Sequence, residues 1–265
     1  MNANEVAQSG STPKTAKPKR RTELDLLRGL VVLALIPFHT ATYFIEGGWA
    51  PLHYTPSPVV KVMIYFSFLV AMPLLFYIAG MGVNYSLRKR TAGAFVVNRF
   101  QRLLIPLTLG HLLLLPIIEF YAFRRSPLFD ETFAQFYPTF FNLTLKIDFP
   151  PFLEGPRYAA HHLWFLKDLL VYTLVLLPLF LWLRSASGRR LVERLAVVSV
   201  QPWTIFLLAL PVAVIEAVLG TSGAWNRFSY IPFIIYGFLL VADPRFGEAL
   251  RRIWKAGLLL GLLLF

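Results

Sequence analysis

Long apolar runs alternate along this chain with short clusters of basic residues, and the length of the runs sets the first expectation. A hydrocarbon core about 30 Å thick takes about 20 helical residues to cross. Runs of that order occupy 24–45, 59–86, 98–122 and 159–183, with shorter ones at 203–220 and 229–242. The pattern predicts an all-α, polytopic transmembrane helix bundle with six complete spans and part of a seventh. Residues 189–201 are expected along the membrane surface. The last run, AGLLLGLLLF, would supply only about 15 Å of helix and leave a terminal carboxylate near the bilayer centre, where an ion is costly. The chain is therefore read as C-terminally truncated.

Composition strengthens the membrane reading, since 57% of the 265 residues are hydrophobic, more than an ordinary soluble domain carries. The net charge of +12 could point to nucleic acid. Its placement argues otherwise, because the basic residues cluster between apolar runs as they do in cytoplasmic loops. Residues 1–22, ending in PKTAKPKRR, predict a disordered cytoplasmic tail, and 23–265 a single membrane domain. The alternative of a cleaved signal peptide is weakened by Asp25 and Arg28 inside the first run and by the lack of a small-x-small site before Gly47. An N-terminus in the cytoplasm then puts most Lys and Arg inside, with a multi-pass location in the inner (plasma) membrane. The absence of cysteine removes thiol nucleophiles, disulfides and cysteine-ligated metals.

Ionisable groups within apolar helices need a reason to be there. In ELDLLRGLVVLALIPFHTATYF, Arg28 and His39 lie about three turns apart and so share a face, roughly 16 Å apart along the axis. Pro37 frees the carbonyl of Leu33 just before His39, and Thr40 and Thr42 add polarity. A neutral imidazole there suits a general base; a hydrogen-bonded, chemically silent histidine is the alternative. Asp25 and Arg28 are spaced to pair on the helix surface, either fixing depth or presenting the guanidinium to a phosphate. Arg99 and Arg102 form R-x-x-R at the start of the third run, as snorkelling anchors or, with Arg28, a pocket for a pyrophosphate-bearing donor.

The fourth run opens HHLWFLKDLLVY. Helical spacing puts His161 and Asp168 on one face, with His162 off it, while Lys167 is the natural ion-pair partner for Asp168. No H-e-x-x-H spacing occurs, so no metal is expected. His111, Glu119 and Glu216 are further intramembrane polar groups to which the sequence gives no specific role. Gly80 and Gly82 in FYIAGMGVNYS suit close helix packing.

Taken together, LDLLRGLVVLALIPFH, FYIAGMGVNYSL, NRFQRLLIP and HHLWFLKDLLVY, in this order over about 22–183, resemble the acyltransferase 3 family of integral membrane acyltransferases. The IPFH and HLWFL wording resembles its glucan-biosynthesis protein C-like branch. The resemblance implies about ten spans, a cytoplasmic acyl-CoA donor, no permanently bound cofactor, and an extracytoplasmic glycan or other hydroxylated acceptor. It implies an essential histidine at His39 and donor-binding arginines at Arg28, Arg99 and Arg102, with Asp25, His161, Trp164 and Asp168 in support. The aromatic loop 124–157, with Trp49, His53 and Tyr54, is expected to form the acceptor surface. A carrier exporting a glycan or small anion fits the residues as well, and a non-catalytic truncated member is a third possibility.

Overall fold

The computed structural model describes residues 22–41, 57–201, 203–220 and 226–264; the basic tail through residue 21 and Trp49, His53 and Tyr54 lie outside them, as do the side chains of Asp25 and Arg28. Thr22 is already the first residue of α1 (Thr22–Ala41), whose Phe38 and Ala41 pack on Ile64. α2 (Pro58–Lys89) begins with proline at its first position, where φ is preset and no N–H is missed. It ends in extended Arg90, and Thr91 then caps the N–H of Ala94 to start α3 (Ala92–Phe123).

Two π turns, Phe100–Leu104 and Gly110–Leu114, interrupt α3, each followed closely by a proline, Pro106 and Pro116. Pro116 has no N–H to give the carbonyl of Leu112. The hydroxyl of Tyr137, from the following loop, donates to that carbonyl instead at 3.1 Å.

That loop has its own small fold. α4 (Phe133–Phe140) starts with a capping box of Thr132 and Gln135. An antiparallel pair, β1 (Thr144–Lys146) and β2 (Phe152–Glu154), sets Leu145 opposite Leu153 and is a small departure from the all-α expectation. Phe120, Phe123, Phe129, Phe136 and Phe140 pack mutually into a core in which Phe136 and Phe140 are fully buried. Most of the loop's rings are therefore turned inward, leaving Phe133 and Phe149 among the exposed ones.

Arg157 clasps Glu131 with two parallel bonds of 2.6 and 2.7 Å and also donates to Thr139. That hydrogen bond holds the Glu131 carboxyl below its ordinary range. A lowered folded value means the contribution is present above the ordinary glutamate value and is lost as pH falls through the lowered one. Hydrogen exchange over 124–158 is expected to accelerate in that acid window, and Glu131→Gln to remove the pH dependence; an unchanged profile in the variant would discard this clasp as the loop's acid-sensitive tie.

A 3-10 turn (His161–Leu163) leads into α5 (Trp164–Val175), which bends by 49° into α6 (Leu177–Leu183). Pro178 causes the bend, since its ring collides with the carbonyl of Leu174. Ser185 caps α7 (Ala186–Ser199), which buries Val192 and Ala196 and exposes Arg190 and Arg194. Further 3-10 turns (Thr204–Leu208 and Arg227–Ser229) precede α8 (Ala209–Leu219) and α9 (Tyr230–Leu240), and α10 (Pro244–Leu264) follows.

The centre of the bundle is the crossing of α2 and α9. A Cβ at Gly80 would lie 2.0 Å from the carbonyl oxygen of Ile234, and one at Gly237 would lie 1.8 Å from that of Tyr77. Around this contact Phe76, Phe95, Tyr172, Phe180 and Phe238 are all but fully buried.

Six complete spans are not what the described residues show. α2 and α3 are long and apolar enough to cross a membrane, and the bent α5–α6 pair makes a third if taken as one span. The stretches Gly29–Ala41, Phe206–Leu219 and Arg227–Leu240 are apolar helices, but shorter. At 1.5 Å per residue, 14 residues cover roughly 21 Å. Hydropathy joins runs that 3-10 turns and charged ends interrupt. Outward-facing Val59, Tyr65, Ile105 and Leu113 are apolar surface of the kind lipid covers.

Candidate functional site

Polar groups gather at the two ends of the bundle. At one end α1 brings His39, half-buried, to within 6.1 Å of the ring of His162, measured between centroids. His162 reaches it because 161–163 is a 3-10 turn and not the first turn of α5. His161 has φ 43°, a left-handed conformation that non-glycine residues seldom adopt. The two neighbours consequently diverge: His161 turns to Glu119 on α3, bonding its carboxylate through Nε2, while His162 turns to His39. Helical spacing therefore does not relate His161 or His162 to Asp168, because both precede α5 and His161 is left-handed. Helical spacing cannot be extrapolated upstream of the residue where the helix starts.

Behind this pair, the second π turn of α3 carries His111. Its Nδ1 lies 2.8 Å from the carbonyl of Leu107 and its Nε2 lies 2.6 Å from the hydroxyl of Tyr158. A carbonyl only accepts, so Nδ1 carries a proton and donates to it. Burial pushes the Tyr158 phenol up to about 12, which keeps it a donor.

Asp168 is fully buried on α5. Lys167 Nζ lies 2.7 Å from Oδ1 and Arg227 Nε 3.9 Å from Oδ2. Lys167 also donates to the carbonyl of Pro151 at 2.9 Å. The guanidinium of Arg227 stands 6.0 Å over the ring of Trp164. Trp164 in turn packs on Phe76 and Tyr230. Lys167 is thus the partner expected for Asp168, and Arg227 is one that the spacing does not foretell. Its signal is that a lone arginine in a short loop opposite the basic clusters breaks the charge rule for membrane loops. Glu216 accepts from the N–H of Asn226 at 2.9 Å and from the hydroxyl of Ser229 at 2.5 Å, tying α8 to the turn that holds Arg227.

The opposite end is rich in arginine. Arg88 donates to the carbonyl of Val241 and to Asn84 Oδ1 at 2.8 Å, and Arg184 donates to the carbonyl of Leu87. These guanidiniums cap the C-termini of α9 and α2. Arg99 lies half-buried 4.7 Å over the ring of Phe95, whereas Arg102, carried on the first π turn, is exposed. A cavity of about 220 Å³ at this end is lined by Arg88, Arg184 and Arg189, not by Arg99 or Arg102. Among the described residues no group of three or more His, Cys, Asp or Glu could hold a metal ion.

The model of the family described as "Acyltransferase domain", the acyltransferase 3 family, matches residues 21–265. No curated protein and no solved structure matches the chain. The chain belongs to that family, and with its long apolar helices it is a membrane protein.

Proposed function

We propose that this acyltransferase moves an acyl group of acetyl or succinyl type from acyl-CoA on the cytoplasmic side to a hydroxyl of an extracytoplasmic glycan or similar acceptor, with His39 as base. A glucan-type acceptor is the finer form of the same reading. The observation that carries it is the convergence of His39 and His162 at one end of the bundle, with Arg99 and Arg102 on α3 toward the other. Two imidazoles side by side can take and pass on a proton near neutral pH.

In this reading the acceptor hydroxyl gives its proton to His39 as its oxygen attacks the thioester carbonyl. The C–S bond breaks, an ester forms, and the thiolate of CoA takes up a proton. Arg28, Arg99 and Arg102 hold donor phosphates by charge-assisted hydrogen bonds, with Asp25 positioning Arg28. His161 acts through its bond to Glu119, which sets the turn that delivers His162. Asp168, with Lys167 and Arg227, supports the wall on which Trp164 sits. No cofactor is held permanently; acyl-CoA is a co-substrate. The N-terminus lies in the cytoplasm and the bundle in the inner membrane.

The test is release of free CoA thiol by purified protein, with and without a glycan acceptor. Acceptor-dependent release is expected; a carrier releases none, and that result would end the proposal. Arg99→Ala with Arg102→Ala is expected to raise the KM for acyl-CoA roughly tenfold or more, as loss of charged hydrogen bonds does. An unchanged KM would remove both residues from the donor site.

A further inference from the structure

The geometry points to a bound anionic phospholipid at the arginine end, its phosphate on Arg88, Arg184 and Arg189 and its hydrocarbon in a neighbouring apolar cavity. The first cavity, about 220 Å³, lies where the ends of α2, α6 and α9 meet the start of α7. Three guanidiniums and the buried amide of Asn84 face it, against the carboxylates of Glu193 and Asp243. Asp243 is already engaged, since Arg245 binds both its oxygens at 2.9 and 2.7 Å. The bonds of Arg88 and Arg184 to Val241 and Leu87 go to carbonyls, which satisfy donors without cancelling charge. Positive charge is thus left in a cleft between membrane helices, the setting in which lipid phosphates are held.

The second cavity, about 350 Å³, lies between α2, α9 and α10 and is lined almost wholly by apolar and aromatic groups, among them Tyr77, Leu208, Phe233, Tyr236, Leu240 and Phe246. The two cavities meet the chain one helical turn apart, at Asp243 and Phe246. A charged cleft beside an oily one matches a molecule with a phosphate and a long chain. α7 and α10 flank the charged cleft with exposed Arg190, Arg194, Arg251 and Arg252 and with exposed Leu191, Leu195 and Trp254, a composition suited to the headgroup layer. The same phosphate chemistry occurs in CoA, but the adjoining hydrocarbon-lined cavity favours the lipid. The inference stands independently of the acyl-transfer reading.

Native mass spectrometry of the full chain, after incubation with phosphatidylglycerol or phosphatidylcholine in detergent, tests it. Wild-type protein is expected to retain phosphatidylglycerol in preference to phosphatidylcholine. Arg189→Gln is expected to lower that retention about fivefold, as removal of one cation near a lipid headgroup does. Arg189 is exposed at the rim, so its loss leaves the helix caps made by Arg88 and Arg184 intact, and an unchanged melting temperature verifies this. Leu240→Trp, which fills the apolar cavity, is expected to reduce retention with the arginines in place. Equal retention of the two lipids, undiminished retention in either variant, or displacement of phosphatidylglycerol by CoA would each overturn the assignment.

Discussion

Replacing His39 with alanine is expected to stop acyl transfer while the protein still inserts and folds. The side chain is half-buried near the end of α1, where its neighbour Phe38 packs with Ile64 of α2. The loss falls on chemistry: a positioned general base contributes about 10²–10⁴ in rate, so a fall in kcat of at least roughly a hundredfold follows. The KM for acyl-CoA is expected to stay near wild type, because the donor site proposed above lies toward the other end of the bundle. His162→Ala is expected to cut kcat less than His39→Ala does and to change the shape of the pH profile, since the second imidazole serves the first. Steady-state kinetics of the two variants over a range of pH, with circular dichroism as a check on folding, measures both. Full activity in His39→Ala would remove the mechanism. An unaltered pH profile in His162→Ala would remove the second histidine from it.

The largest effect on stability is expected at the crossing of α2 and α9. A glycine-to-alanine change within a helix normally gains about 1 kcal/mol of helix propensity. At Gly80 and Gly237 the sign reverses, because the added methyl meets backbone oxygen at 2.0 and 1.8 Å. Backbone cannot rotate aside as a side chain can, so the helices must separate and loosen the stack of Phe180 on Phe238, now 4.6 Å between centroids. Overpacking of this kind costs about 1–3 kcal/mol per site. Gly80→Ala and Gly237→Ala are each expected to lower the melting temperature in detergent, and the pair to prevent a folded sample. The same change at Gly257, which has open space around it, serves as the control. Melting at or above the wild-type temperature in either core variant would refute the close crossing.

How much of this was legible in the sequence depends on whether the information was local. The apolar runs foretold helices, and the close approach at Gly80 was visible because small residues in apolar helices have few other uses. Its counterpart Gly237 was not, since only the fold pairs them. Asp168 was readable as a buried acid that needs partners. Lys167 was adjacent, but Arg227 comes from a distant turn. Helical spacing could not place His161 and His162, because a left-handed residue precedes α5 and nothing in HHLWFL signals it. The span count failed for the same kind of reason, as hydropathy measures composition and not where a helix bends or tightens. The arginine cavity was hidden because Arg88, Arg184 and Arg189 read as ordinary loop charges until α2, α6 and α7 come together.

The bond from Tyr137 to Leu112 has a bearing on how the loop after α3 could change. Pro116 strands a carbonyl inside a helix long and apolar enough to cross a membrane, and the remedy is supplied from the following loop. Loop and span are therefore heritable as one unit. A loop exchanged for another would have to bring its own hydroxyl to the same spot, or the span would have to give up its proline first. Change in the loop is constrained from within the helix it follows, and residue 116 is the gate through which it would pass.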